Sequence, residues 1–549
     1  MEKGDSAIEL EKKFSRGKTY LLSENGFFLF RFVDGAFGSK WCGFWDRDLK
    51  FLEYFAFRVD GEWLCPENFK RFIYTGAEAL HIHSLFVGEV TERVVVGDGT
   101  LIVNLKLPRR CEVLVEVGVN IRRREEGIHG RVYNIISRSE SVEVMNELGK
   151  IEIGVRGGEF LPNPRREIHF PGRYAMEHGY DFRWYEDEQE KFIPGIFRFE
   201  GRELKFWAGK KAGAGHILRK KRRKLKEKEK KTENWKLAST LLSFYFEREY
   251  AGFLAGFPYF NQFWTRDFLC MFTPLIRAGF EREAHKALLT IARHQLSDGS
   301  IPVIVGSEKP CADSTPLFLL ACYKAFKSGR KAPMKNVKMA LQYGVEHFDG
   351  ELVEHDPRTT WMDTLRRGYA VEVESFWAKA FEVWGKLFKN KKLLFLSEKI
   401  KESLISSYLQ SGVFLDSLKG KYKFSVNSLI PLTYSVVRTD EENIFKRAKE
   451  ELFCNFGVRA ISRREVGDDY HARIWGISTY WGLKFLSRHN PEEARKIFVN
   501  YLKFMGSRTV CGFPETMKES GEVEGASSQL WSVAFIPEML QELWGRGRS

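Results

Sequence analysis

The chain has 549 residues, 43% hydrophobic and 14% aromatic, with 46 Phe, 19 Tyr and 14 Trp. At roughly 100–200 residues per domain, this allows two to four domains with ample cores. The net charge of +14 would suit nucleic acid or an anionic membrane. However, ten Lys/Arg against two Glu between Arg219 and Lys231 supply +8 of it, and the remainder is close to balanced. A like-charge block of this kind reads as a solvated helix or linker. No RNA-binding motif accompanies it, so a nucleic-acid partner is not expected.

The eight cysteines, at 42, 65, 111, 270, 311, 322, 454 and 511, form no CxxC pair, which argues against a zinc-ribbon or thioredoxin-like motif. The leader MEKGDSAIELEKKF has no apolar h-region. No run of about 18 apolar residues offers a membrane span. A cytoplasmic protein with reduced thiols, free of membrane, is the expectation.

In chain order, the first ~210 residues read as β. Aromatic stretches at Phe27–Phe32 and Phe51–Phe57 fit sheet faces. Thr100–Leu107, Cys111–Ile121, Ser141–Met145 and Lys150–Arg156 alternate apolar and polar residues with β-branched side chains. Many short strands in one block predict an antiparallel β-sandwich over residues 1–215. Residues 216–234 follow as a basic helical linker, with no helix breaker in Lys220–Lys236.

From residue 235 to 549 the period changes to that of amphipathic helices. About a dozen segments begin near Trp235, Asp267, Glu281, Asp313, Met334, Val371, Lys391, Val426, Glu441, His471, Pro491 and Ala526. Pro491 after Asn490 reads as position N1 after an N-cap. An even number of helices in alternating hairpins, without a fixed-length repeat, predicts an (α/α)6 toroid.

The loops between these helices are aromatic and acidic: Tyr259–Asp267, Asp298–Ile301 with Asp313, Thr360–Glu374, and Gly512–Glu515 with Gln529–Ala534. In a toroid they would line one mouth. Glycoside hydrolysis needs two carboxyl groups flanking one bond: one protonates the leaving oxygen, the other activates water or attacks the sugar. The acid must hold its proton, so it needs an apolar or like-charged setting. Trp361 and Met362 would supply an apolar wall beside Asp363, and Phe513 and Pro514 would hold Glu515. A helix cap is the competing role for an aspartate in such loops, Asp313 included.

Several motifs in order resemble the amylo-α-1,6-glucosidase domain of glycogen debranching enzymes: FWTRD at 263–267, ADSTPLF at 312–318, TWMD at 360–363, YHARIWG at 470–476, GFPE at 512–515 and QLWSVA at 529–534. Between them, Gly368, Val371, Glu372 and Trp377 stand in the family's G-x-x-V-E-x-x-x-x-W pattern, and Glu374 stands where the family has Asn. The similarity covers about residues 235–549, and around WCGFWDRDLKFLEYFAFRVDGEWL the first half resembles such proteins' β-sandwich more loosely.

The resemblance implies Asp363 as general acid and Glu515 as general base, with inversion. It places Trp264, Arg266, Asp267, Asp313, Trp361, Glu372, His471, Trp475 and Trp531 around the sugar. It implies exo-acting hydrolysis of α-1,6-glucosidic stubs, with an α-glucan or oligosaccharide as partner and neither cofactor nor metal in the chemistry. A structural ion in the sandwich, the oligomeric state, and any reach of Trp41, Trp45 and Asp46 to the toroid mouth are left open. No stretch has the pattern of a second, transferase barrel. Two readings compete: a toroidal glycosidase acting on trehalose, maltooligosaccharides or a glucosyl-osmolyte, and a non-catalytic glycan clamp.

Overall fold

The computed structural model describes residues 7–15, 17–126, 130–167, 191–465 and 470–545; the first six residues of the N-terminal stretch lie outside these. The chain divides into two compact units, one of Met1–Glu247, Phe257–Asn261 and Gly506–Gly512, the other of Arg248–Gly256, Gln262–Met505 and Phe513–Ser549.

The first unit is a fifteen-stranded antiparallel assembly. The strands used below are β1 (Leu49–Val59), β2 (Ala79–Leu85), β3 (Gly88–Gly97), β4 (Thr100–Arg123) and β5 (Lys191–Gly209). The two expected strands at 100–107 and 111–121 are one strand, β4. Its first part pairs with β3 and its second part with β1, while β5 follows it along both. Register shifts after Lys106 and Glu116 interrupt its pairing with β5, as β-bulges do. Valines at 113, 115, 117 and 119 are buried, and so is Trp45, stacked on Phe28.

The basic run forms helix α1 (Ala214–Thr232), and it packs on this sheet unit. Ile217 and Leu218 join Ala77, Val95 and Ile102 in one cluster. Lys221 donates to the carbonyls of Ser23 and Val96 at 2.9 and 3.2 Å, and Arg222 to Glu78 at 2.8 Å. Helix α2 (Trp235–Phe244), capped by Asn234, also belongs to this unit.

The second unit contains α3 (Thr265–Cys270), α4 (Phe272–Arg277), α5 (Glu281–Arg293), α6 (Ser314–Lys327), α7 (Met334–Glu346), α8 (Val371–Phe388), α9 (Lys391–Ser403), α10 (Ile430–Thr433, after a 3-10 turn from Val426), α11 (Glu442–Glu451), α12 (Gly476–His489), α13 (Pro491–Leu502), α14 (Leu530–Val533) and α15 (Ile536–Trp544). Among them a ring closes: α3 packs on α6, α6 on α8, α8 on α10, α10 on α12, α12 on α14, and α14 back on α3. Outside it, α7 packs on α6, α9 on α8 and α13 on α12. This is the (α/α)6 toroid expected from the helix pairs.

Composition sorts inner from outer. Ring helices are apolar nearly all round, as elements covered on every side must be. In α8 the buried residues include Val371, Val373, Phe376, Trp377, Ala380, Phe381 and Trp384. In α5 the buried residues are Ala284, Ala287, Leu288, Thr290, Ile291 and Ala292, and its charged residues lie outside this set. Close crossings require glycine: a Cβ on Gly344 would overlap the ring of Trp377, and one on Gly476 the backbone of Ser532. As expected, Pro491 opens α13 behind Asn490, whose side chain accepts from the Glu493 N–H.

Candidate active site

The candidate residues lie on the loops that lead into ring helices or in the first turns of those helices. Trp264, Arg266 and Asp267 open α3, and Asp313 precedes α6. The 360–367 loop and Glu372 lead into α8. His471 and Trp475 precede α12, and Glu515 and Trp531 flank the start of α14. The ring gathers these N-terminal ends at one mouth.

Asp363 is not in the apolar setting expected from its neighbours. Its side chain is 44% exposed and meets the Arg266 guanidinium at 3.1 Å. Met362 and Trp361 turn away from it into the core. The Trp361 indole N–H donates to Asn427 at 2.8 Å, and its ring lies edge-on to His471, Trp475, Trp481 and Trp531, with centroids 5.7–6.3 Å apart. These rings are almost wholly buried, so they form a floor; of the tryptophans expected at the sugar, Trp264 alone is partly open.

The apolar setting belongs to Glu515, 2% exposed. Burial pushes its proton affinity up, and the charge of Asp363 adds to this. Against this, the Ala526 N–H donates to Oε2 at 2.6 Å, the Tyr470 hydroxyl to Oε1 at 2.7 Å, and Arg473 lies nearby. Arg473 sits over the Tyr470 ring and pairs with Glu524. The carboxylate lies against Gly525, at φ 74°; a Cβ there would overlap it. The expected rigidity from Pro514 is thus supplied by hydrogen bonds from across the loop. Tyr470, Arg473, Gly525 and Ala526 were not read from the sequence as site residues, although Tyr470 and Arg473 lie in the YHARIWG motif.

Arg266 is surrounded by carboxylates. It donates to the Thr360 carbonyl at 2.7 Å and to Asp363, and it lies 3.9 Å from Asp267. Asp313 stands at the N-cap position of α6 but makes no cap hydrogen bond. One of its oxygens faces the Cys311 thiol at 3.0 Å; the other has no partner among the described residues. The same holds for the indole nitrogen of Trp531. Such buried unmatched groups are ready to meet hydroxyls.

Burial, reinforced by Asp313 and Asp363 and opposed by Arg266, pushes Asp267 up from 3.8 to about 7. Its folded pKa is raised, so the folded state holds a proton that the unfolded chain releases. Its stabilising contribution is complete below about 4 and is lost as pH rises to about 7. Asp267→Asn is expected to flatten the stability–pH curve across that window and to raise stability at pH 8 by on the order of 2 kcal/mol, read by denaturant unfolding at pH 4, 6 and 8. An unchanged pH dependence would remove the charged-cluster account of this residue.

Glu372 does not reach the mouth. It is fully buried, and both its oxygens accept from Arg367 at 2.7 Å. Arg367 also donates to Asp416 at 2.6 and 3.0 Å and to Thr360 at 3.1 Å. Asn427 and Ser425 bind the same Asp416 carboxylate. Glu372 is therefore a strut under the 360–367 loop, and its sugar-binding assignment is corrected to a positioning one. Glu374 is buried too and accepts from the Val353 N–H at 3.0 Å. His471 bonds Thr364 at 3.0 Å and stacks on Trp475 at 5.7 Å.

Residues 237–476 match the model of a family described as amylo-alpha-1,6-glucosidase. No curated protein matches the chain in sequence. Among solved structures, a bacterial glucoamylase complexed with acarbose is similar at 11% identity and TM-score 0.65, over 96% of this chain and 92% of that one, a likeness of fold. A glycosidase in complex with glucose is similar at 13% identity and TM-score 0.47 over 59% of this chain and 98% of that one. A mannosylglycerate hydrolase from Thermus thermophilus is similar at 13% identity and TM-score 0.45 over 57% of this chain and 99% of that one.

Proposed function

We propose, from a helical unit whose residues 237–476 match the amylo-alpha-1,6-glucosidase family model, that the chain is an exo-acting, inverting α-glucosidase that removes α-1,6-linked glucosyl stubs from glycogen-like α-glucans. The observation that carries this reading is that Asp363, paired with Arg266 at 3.1 Å, and Glu515, buried and held by Tyr470 and Ala526, both stand on loops leading into helices of the closed ring. Aspartates and an arginine in fixed positions can bind vicinal hydroxyls of a terminal glucose from both donor and acceptor sides. The motif positions assign Asp363 as the acid and Glu515 as the base. A buried carboxylate with raised proton affinity is the stronger acceptor for the proton of an attacking water. The open side of Asp363 lets it exchange protons with solvent before the leaving oxygen arrives. Hydrolysis with two carboxylates and water requires no cofactor, and a cytoplasmic site of action is part of the proposal.

One observation favours a reversed assignment. Asp363 has the Arg266 guanidinium at 3.1 Å as its partner, the kind of neighbour a carboxylate base has, while burial favours the protonated, acid form of Glu515. Variant kinetics separate the two.

The substrate is tested by incubating the protein with phosphorylase-trimmed glycogen, panose, maltotriose and trehalose while following free glucose and its initial anomer by NMR. Release of β-glucose from the α-1,6 substrates is expected. α-Glucose as the first product would overturn inversion. Release from trehalose or maltotriose alone would replace the branch-stub substrate and leave the mechanism standing.

A further inference from the structure

The sheet unit holds a second cluster of chemistry-bearing side chains. His81 and His83 alternate along β2 and so leave it on the same face. Glu92 on β3 is the cross-strand partner of His81. All three are at most 1% exposed. The His81 Nδ1 and the His83 Nε2 lie 3.2 and 3.9 Å from the same oxygen, Oε2 of Glu92, and one donor atom from each residue falls within 4.8 Å of the others.

The proton positions follow from the neighbours. Asn68 donates its amide to the Trp63 carbonyl at 2.7 Å and accepts from the Cys65 N–H at 3.1 Å on its oxygen. That oxygen also faces the His83 Nδ1 at 2.9 Å, so Nδ1 carries the proton and Nε2 is a bare lone pair. This lone pair faces a carboxylate oxygen, and no hydrogen-bond donor meets it among the described residues; the His81 Nε2 is equally unmatched. The rings of Tyr20, Phe69 and Phe72 close around the pair at 5.1–6.5 Å. Arg31 occupies the other carboxylate oxygen at 2.5 Å and donates to the Gly35 carbonyl.

We propose that His81, His83 and Glu92 bind a divalent cation of the zinc class, with one nitrogen of each imidazole and Oε2 of Glu92 as ligands and Arg31 fixing the carboxylate from behind. Tetrahedral ligands at zinc distances stand roughly 3.3 Å apart, and the observed 3.2 and 3.9 Å lie about that value. Neutral imidazoles and a carboxylate are a donor set zinc accepts, and water completes the fourth position. Bound there, the ion would clamp β2 to β3 and remove the lone-pair conflict, which makes its role structural.

The full-length protein, stripped with EDTA and dialysed, is titrated with Co²⁺ and then Zn²⁺. Metal content is read by mass spectrometry, coordination by visible absorption, and stability by the thermal midpoint. Equimolar Co²⁺ with tetrahedral d–d bands displaced by Zn²⁺, and a midpoint raised by Zn²⁺, are expected. His83→Gln is expected to abolish the bands and weaken zinc binding by about tenfold or more, while His216→Gln, on the exposed part of α1, leaves both unchanged. Absence of equimolar uptake by the wild-type protein overturns the proposal without recourse to any variant. Uptake that persists in both His81→Gln and His83→Gln overturns it as well.

Discussion

Asp363→Asn is expected to lower glucose release from α-1,6-linked substrates by about 10³-fold or more while the protein stays folded, and Glu515→Gln to do the same. Neither change should unfold the chain: Asp363 is half-exposed, and Gln at 515 keeps an oxygen to accept from Ala526. The substrates on which each variant recovers identify its role. α-Glucosyl fluoride carries a leaving group that needs little protonation, so Asp363→Asn should retain most of its rate there if Asp363 is the acid. Glu515→Ala, with the base removed, should be accelerated by azide, which attacks the anomeric carbon from the opposite face, expels the alcohol and leaves β-glucosyl azide. If Glu515→Gln recovers on the fluoride and Asp363→Ala responds to azide, the roles are reversed, as the Arg266 pair would allow. Normal activity of Asp363→Asn on all substrates would sink the two-carboxylate mechanism.

Arg367→Met carries the largest expected effect on stability. The side chain is 1% exposed and satisfies Glu372, Asp416 and Thr360 at once. Removing it strands two carboxylates in the protein interior, and breaking a buried pair from one side costs about 3–5 kcal/mol. Burial already raises the proton affinity of Glu372 against the pull of Arg367. Without the guanidinium that affinity rises further, so the deficit should be greatest at neutral and alkaline pH and should shrink as pH falls toward the ordinary glutamate range, because Glu372 can then take up a proton in the folded state. Adding Glu372→Gln to Arg367→Met should recover part of the loss. Denaturant midpoints of the two variants at pH 4.5 and 7.5 provide the check; a deficit below about 1 kcal/mol at pH 7.5 would mean the network is not a strut. Because it underlies the 360–367 loop, activity should also fall, through the placement of Asp363.

The helical half was legible because its periodicity is strong. Ring helices such as α8 and α12 announce themselves by being apolar on every side, and Pro491 and Asn490 mark a start by local chemistry alone. The site residues were legible through short motifs on loops ahead of those helices, where backbone geometry is set within a few residues. The environment of each carboxylate was not. The apolar neighbours of Asp363 predicted a buried acid, but Trp361 and Met362 point into the core while Asp363 faces Arg266, ninety-seven residues earlier. Likewise nothing in the sequence shows that Arg367 folds back over Glu372 and takes both of its oxygens.

By itself the sequence determined an antiparallel β unit, a toroid of helix pairs, and which acidic and aromatic loops to watch, because binary pattern, capping and turn chemistry act over spans of a few residues. Only the tertiary structure decided which carboxylate is buried and which is open, that Tyr470, Gly525 and Ala526 cradle Glu515, and that two histidines and a glutamate meet beneath the sheet. Proton affinity, ion pairing and metal-ligand geometry depend on distances between residues far apart in the chain, and those are set only when the ring and the strands close.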